Sequence, residues 1–204
     1  MKAIFGASML LMLCCGGGGQ EQAQPVAPKS EPQQIAKSVL MVIAPKDFRD
    51  EEFKEPHDLF KESGVQVTVA STDTVPAEGM LGMVVTPDIT LEQVYSDSFD
   101  ALVVVGGSGC RMLWDNATLH EIINNFNVTG KTIAAICIAP VVLARAGILK
   151  DKKVTVYPTA KDEIGKCGAM YTASDVESCD NIITCSGPKA AKDFAEIILK
   201  ALNK

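Results

Sequence analysis

Cys137 stands where a strand pattern gives way to a helix pattern, a position from which a thiol can act as a nucleophile. Thr132–Ile136 reads as a buried strand, and Ala139–Ala146 reads as a helix with Pro140 at its start. A strand that becomes a helix within two residues makes a sharp elbow. Small residues are needed two before and two after the apex, and Ala135 and Ala139 supply them. This is the logic of G-x-S-x-G, with alanines for the glycines and a thiol for the hydroxyl. At the helix start the dipole and the free N–H groups favour thiolate. The alternative is a small buried hydrophobe, as most free cysteines are. The place of Cys137 at the strand end, not inside it, favours chemistry.

A cysteine nucleophile needs groups that stabilise its own charge and the charge that develops on the substrate. Gly106-Gly107 ends the apolar run Asp100–Val105, so its N–H groups could approach a substrate oxygen without side chains in the way. The same pair could equally be a tight turn. The glycine loop lacks the G-K-[ST] of a phosphate-binding loop. An acid or base can come from Asp47–Phe53 (DFRDEEF), which follows the first strand and faces the same rim. Asp50 and Glu51 also fit the first turn of a helix, where acids match the dipole.

The totals exclude other chemistries. The 204 residues carry a formal net charge of −6 and show no basic stripe, which argues against nucleic acid as a partner. Seven cysteines include no C-x-x-C pair, and only His57 and His120 offer imidazole, so no metal site is expected. Cofactors are not implied.

The elements that must position these groups alternate between strand and helix. Ser38–Ala44, Val65–Ala70, Met83–Thr86, Asp100–Val105, Thr132–Ile136 and Lys153–Tyr157 read as strands. Asp50–Ser63 reads as a helix interrupted at Pro56, and Thr90–Val94 as a helical turn. Leu119, Ile122, Ile123 and Phe126 mark one helical face, Ala160–Lys166 a short helix, and Pro188–Leu202 an amphipathic one. Met170–Glu177 and Ile182–Ser186 read as a hairpin across Asp180, which separates Cys179 from Cys185 too far for a disulfide. Such alternation predicts an α/β sandwich with a mainly parallel sheet, whose sites lie at the carboxyl ends of strands. Gly107 and Cys137 should therefore meet.

Four stretches together resemble one family: Asp47–Pro56 (DFRDEEFKEP), Asp100–Gly107 (DALVVVGG), Ala134–Pro140 (AAICIAP) and Val154–Asp162 (VTVYPTAKD). In order and spacing they resemble the ThiJ/PfpI superfamily, which includes the parkinsonism-associated deglycase and the PfpI-type proteases. The resemblance spans the folded domain and implies a flavodoxin-like three-layer sandwich, a class I glutamine amidotransferase-like fold, and a homodimer. It implies that Cys137 is the reactive cysteine and Glu52, four residues before Pro56, its partner. It also implies oxyanion donors at the backbone of Gly107 and Ile138, with Gly106 and Tyr157 as pocket candidates. Two departures bear on activity. PfpI-type proteases carry histidine directly after the cysteine, where this chain has Ile138. Deglycase-type members carry it before the proline at 158, where this chain has Tyr157. A peptidase dyad is thus not expected. Two anions side by side would raise each other's pKa values, so the workable state is a protonated Glu52 beside a Cys137 thiolate.

The expected activity is a glyoxalase- or deglycase-like hydrolase or lyase acting on small reactive carbonyls or their adducts. The alternative is a non-catalytic oxidative-stress sensor whose Cys137 oxidises to sulfinate. Cys110 is a candidate resolving thiol or a packed residue. The chain divides into 1–15, a lipoprotein-like signal peptide; 16–36, a flexible Gly/Gln/Pro linker; and 37–204, the folded domain. Lys2 and the apolar stretch to Leu13 lead to Cys14 and Cys15, the lipidation candidates. Export, with the membrane reached only through an N-terminal lipid anchor, is the expected location; the cytoplasm is the alternative.

Overall fold

A computed structural model describes residues 37–203. The stretches expected to be a signal peptide and a linker, with Cys14 and Cys15, lie outside the described residues. Seven strands form the central sheet: β1 (Ser38–Val42), β2 (Gln66–Ser71), β3 (Ile89–Thr90), β4 (Ala101–Val104), β5 (Thr132–Ile136), β6 (Val176–Cys179) and β7 (Ile182–Cys185). Their spatial order is β6-β7-β5-β4-β1-β2-β3, and every pairing is parallel except β6 with β7. The helices are α1 (Asp50–Glu62), α2 (Ala117–Val128), α3 (Pro140–Arg145), α4 (Lys161–Lys166) and α5 (Ala191–Leu202).

Alternation along the inner strands divides the core into two layers. Leu40, Val42, Leu102, Val104, Ile133 and Ala135 face one layer with Leu119, Ile123 and Phe126 of α2. Val39, Met41, Val103, Ala134 and Ile136 face the other with Phe53 and Phe60 of α1 and Phe194 and Ile198 of α5. Strands covered on both faces must be apolar wherever they are buried, as residues 39–42 of β1, all of β4 and residues 133–136 of β5 are. Cys137 packs against both layers because it sits where β5 leaves the sheet.

Three expectations change. Helix α1 runs unbroken through Pro56, which is buried. The proline removes the N–H that would bond the Glu52 carbonyl, but packing against α5 holds the helix together. Met83–Thr86 does not supply the third strand. Val84–Val85 instead pairs antiparallel with Ala77–Gly79, which pairs with Lys46–Phe48 in a small separate sheet. Of Lys153–Tyr157 only Lys153–Val154 is a strand, paired with Met170–Tyr171 outside the central sheet. Thr155–Tyr157 runs on towards the elbow, tied by the Thr155 amide to Thr184 Oγ1 at 2.9 Å. The hairpin turns at Asp180, but its first arm is Val176–Cys179 rather than Met170–Glu177, and Cys185 registers with Val176, so Cys179 and Cys185 lie at opposite ends of the ladder. All five cysteines of the described residues are free thiols.

Candidate active site

The elbow forms as its spacing predicts. β5 ends at Ile136, and α3 begins at Pro140. Cys137 between them adopts φ 63°, a left-handed conformation that a side chain takes only under constraint, at a cost of about 1–3 kcal/mol. Three backbone bonds supply that constraint. The Cys137 amide donates to the Cys185 carbonyl at 2.8 Å, the Tyr157 amide to the Cys137 carbonyl at 2.8 Å, and the Ala139 amide to the Ile136 carbonyl at 3.0 Å.

Helix α1 brings the carboxylate. The Arg49 amide donates to the Gly106 carbonyl at 3.1 Å and fixes the helix start against the end of β4. Asp50 anchors the other side: its carboxylate accepts from the Leu81 and Met83 amides, both at 2.8 Å, and so holds the segment that carries Met80. Glu52, in the same turn, points inward and is wholly buried. Neither of its oxygens has a hydrogen-bond partner of ordinary geometry.

The glycines explain why nothing larger fits. A Cβ on Gly106 would lie 2.5 Å from Glu52 Oε2, 2.6 Å from Cys137 Cβ and 2.7 Å from the Ile136 carbonyl. At Gly107, with φ 100°, a Cβ would strike the Arg49 amide and the Asp47 carbonyl. β4 and α1 can therefore close on the elbow only through bare backbone.

Burial raises the proton affinity of both partners. It pushes the Glu52 carboxyl up to about 7, and the Cys137 thiol, the Arg49 charge and the Gly106 amide hold it from rising further. Burial pushes the Cys137 thiol up to about 12, with the Glu52 charge adding to it, while the Gly107 and Ile138 amides pull it down. Burial beside a carboxyl thus works against the acidity that the helix start favours. Helix α3 has only six residues, and desolvation beside a carboxyl outweighs its dipole. The pair loses its first proton near pH 7 and holds the second to high pH. Alkylation of Cys137 by iodoacetamide should accordingly rise through an apparent pKa of about 7 and then level off, because thiolate beside protonated Glu52 is one form of the singly protonated pair. Rates measured from pH 5 to 9 check this; a curve still climbing tenfold per pH unit at pH 9 would mean that Glu52 does not share the proton.

A cleft of about 340 Å³ opens over the sulfur. The N-terminal half of the domain contributes Arg49, Glu52, Met80, Gly107, Ser108 and Arg111, and the C-terminal half Cys137, Ile138, Tyr157, Thr159 and Pro188. Every expected site residue of the described region is here except Gly106, which forms the wall behind Gly107. Neither histidine lines the cleft. His57 stacks on Phe53 at 5.0 Å, and His120 Nε2 meets the Trp114 carbonyl at 2.9 Å. Cys110 is fully buried beneath the glycine loop, and burial raises its thiol further still. Among the described residues no cluster of side chains is arranged to hold a metal ion. Sequence reasoning missed Arg111 and Met80, since nothing in their spacing says that the loops carrying them fold over the elbow.

The family model for the DJ-1/PfpI family matches residues 37–201. The chain belongs to the DJ-1/PfpI family. An uncharacterized protein of Methanocaldococcus jannaschii is 47% identical over 169 residues, covering 81% of this chain and 82% of that protein. The glutathione-independent glyoxalase DJR-1.2 of Caenorhabditis elegans is 32% identical over 166 residues, covering 81% of this chain and 89% of that one. Among solved structures, the ThiJ/PfpI domain protein of Brachyspira murdochii superposes with a TM-score of 0.80 at 32% identity, covering 82% of this chain and 97% of that one. The parallel sheet flanked by helices is the ThiJ/PfpI flavodoxin-like fold.

Proposed function

We propose that the cleft at Cys137 acts on small reactive carbonyl compounds or their adducts, as a glyoxalase- or deglycase-like hydrolase or lyase. The observation that carries this reading is Glu52: a fully buried carboxyl with no partner of ordinary hydrogen-bond geometry, facing only the Cys137 thiol and the Gly106 amide, and placed beside a strained cysteine. Such a group is held ready for a proton in transit. The relative named as a glyoxalase supports the same chemistry.

For methylglyoxal the steps balance as follows. The Cys137 sulfur bonds to the aldehyde carbon, and its proton passes through the Glu52 carboxylate to the former carbonyl oxygen. The Gly107 and Ile138 N–H groups, which already face the sulfur, stabilise the charge on that oxygen. Glu52 then takes the proton from the first carbon and returns it to the second, while the hydroxyl proton on the first oxygen passes to the second oxygen, leaving a thioester. Water cleaves it, releasing lactate and restoring the thiol. No histidine is required, in keeping with Ile138 and Tyr157; a peptidase is not proposed.

Lactate formation from methylglyoxal by the wild type and by Cys137→Ser tests the reading. Turnover that falls at least about 1000-fold on substitution supports it. Absence of wild-type turnover, with two oxygens gained only at Cys137 after mild peroxide, would replace it with the sensor reading. Export through a lipid anchor at Cys14 or Cys15, and a homodimeric assembly, belong to the same proposal. The mass of the mature N-terminus and sedimentation equilibrium test them.

A further inference from the structure

The cleft holds more positive charge than its own chemistry uses. Its charged lining consists of Arg49, Glu52 and Arg111. Arg49 is engaged by Glu51, with Nε 2.7 Å and Nη2 2.9 Å from the two carboxylate oxygens. Arg145, at the end of α3, also sits over the Trp114 ring, at 5.0 Å, but is engaged by Asp115 and by Glu163, the latter at 2.9 Å. Arg111 differs from both. It is exposed, it has no ion pair among the described residues, and its guanidinium lies 4.8 Å from the centroid of the Trp114 ring. Stacking on an indole fixes where a guanidinium sits while leaving its edge N–H groups open. Arg111 is itself part of the lining of the cleft that contains the sulfur.

We infer that Arg111 selects substrates carrying an anionic group, and that the physiological substrate class is a small carbonyl compound bearing a carboxylate. The carbonyl carbon meets Cys137, and the carboxylate meets the planar fork of Arg111, whose geometry matches two oxygens at once. Glu52, the one carboxylate of the lining, is wholly buried against Gly106 and Cys137 and makes no ion pair with Arg111. The methyl group of methylglyoxal uses none of this charge. The inference rests on the reading of Cys137 as the reacting atom and adds the group that orients the substrate.

Anion preference can be read without turnover. Iodoacetate and iodoacetamide alkylate a thiol by the same displacement: an S–C bond forms, iodide leaves, and the thiol proton goes to solvent. They differ in charge. Their rate ratio, mapped by peptide mass at each cysteine at pH 8 and low salt, reports the local preference for a carboxylate. Cys167 and Cys179, both partly exposed, serve as references within the molecule. The ratio at Cys137 should exceed theirs about three- to tenfold, and the excess should shrink in 0.5 M salt. Arg111→Ala should bring it to the reference value and Arg111→Lys should keep part of it, whereas Lys200→Ala, remote on α5, should retain it. A Cys137 ratio equal to the references, or an excess that survives Arg111→Ala, overturns the inference and leaves the proposed function standing. A Cys137 that neither reagent modifies overturns both.

Discussion

Glu52→Gln should melt higher than the wild type at pH 8 and turn over carbonyl substrate at least about 100-fold more slowly. The two effects have one cause. A carboxyl whose proton affinity is raised from 4.5 to about 7 is charged in the fold at a cost of about 3 kcal/mol relative to water. The folded state therefore binds its proton more tightly than the unfolded chain does, and stability falls as pH rises through the window from 4.5 to 7. Below that window the group is neutral in both states and costs nothing. Glutamine stays neutral throughout, so the variant lacks this loss and gains up to about 3 kcal/mol above pH 7, or roughly 5–10 °C. It also lacks the group that accepts and returns the proton. Thermal melts at pH 5 and pH 8, beside lactate assays, check both halves. A variant with no gain at pH 8 would show that the ionised carboxyl is stabilised in place, which would remove the physical basis for its role as a proton carrier.

Gly106→Ala should damage activity severely for a single added methyl group. Its Cβ would press at once on the Glu52 carboxyl, the Cys137 Cβ and the Ile136 carbonyl, all within 2.7 Å. The Ile136 carbonyl belongs to the central sheet and cannot turn aside, so Glu52 and the elbow must separate. A displacement approaching 1 Å between reacting groups costs on the order of 100-fold in rate, and the overpacking about 1–3 kcal/mol in stability. Gly165→Ala is the control: it lies in α4 with nothing within 4 Å of an added Cβ, and should leave activity intact with a slight gain in stability. Urea titrations and turnover of the two variants separate the effects. Gly106→Ala with wild-type turnover would mean that the Glu52–Cys137 approach does not limit the reaction.

Much of this was legible in the chain itself. The periodicity of Thr132–Ile136, with Ala135, Ala139 and Pro140 around a single cysteine, defines the elbow because strand and helix patterns are local and small residues at a crowded turn are obligatory. The apolar runs at Ser38 and Asp100 define strands covered on both faces, and hence the parallel sheet. Glu52 and Gly107 followed from their places after strand ends and from the family resemblance. Three things were decided only by the tertiary structure. Helix α1 survives Pro56 because the cost of one lost hydrogen bond is local, while the packing that offsets it comes from α5, over a hundred residues away. The burial that raises the proton affinity of Glu52 and Cys137 came from the fold, since a sequence shows which groups are present but not how much water they lose. Arg111 and Met80 became cleft residues because loops from distant strand ends converge above β4 and β5. The elbow at Cys137 was written in neighbouring residues; the carboxyl, the amides and the guanidinium that give it a chemistry were assembled by the fold.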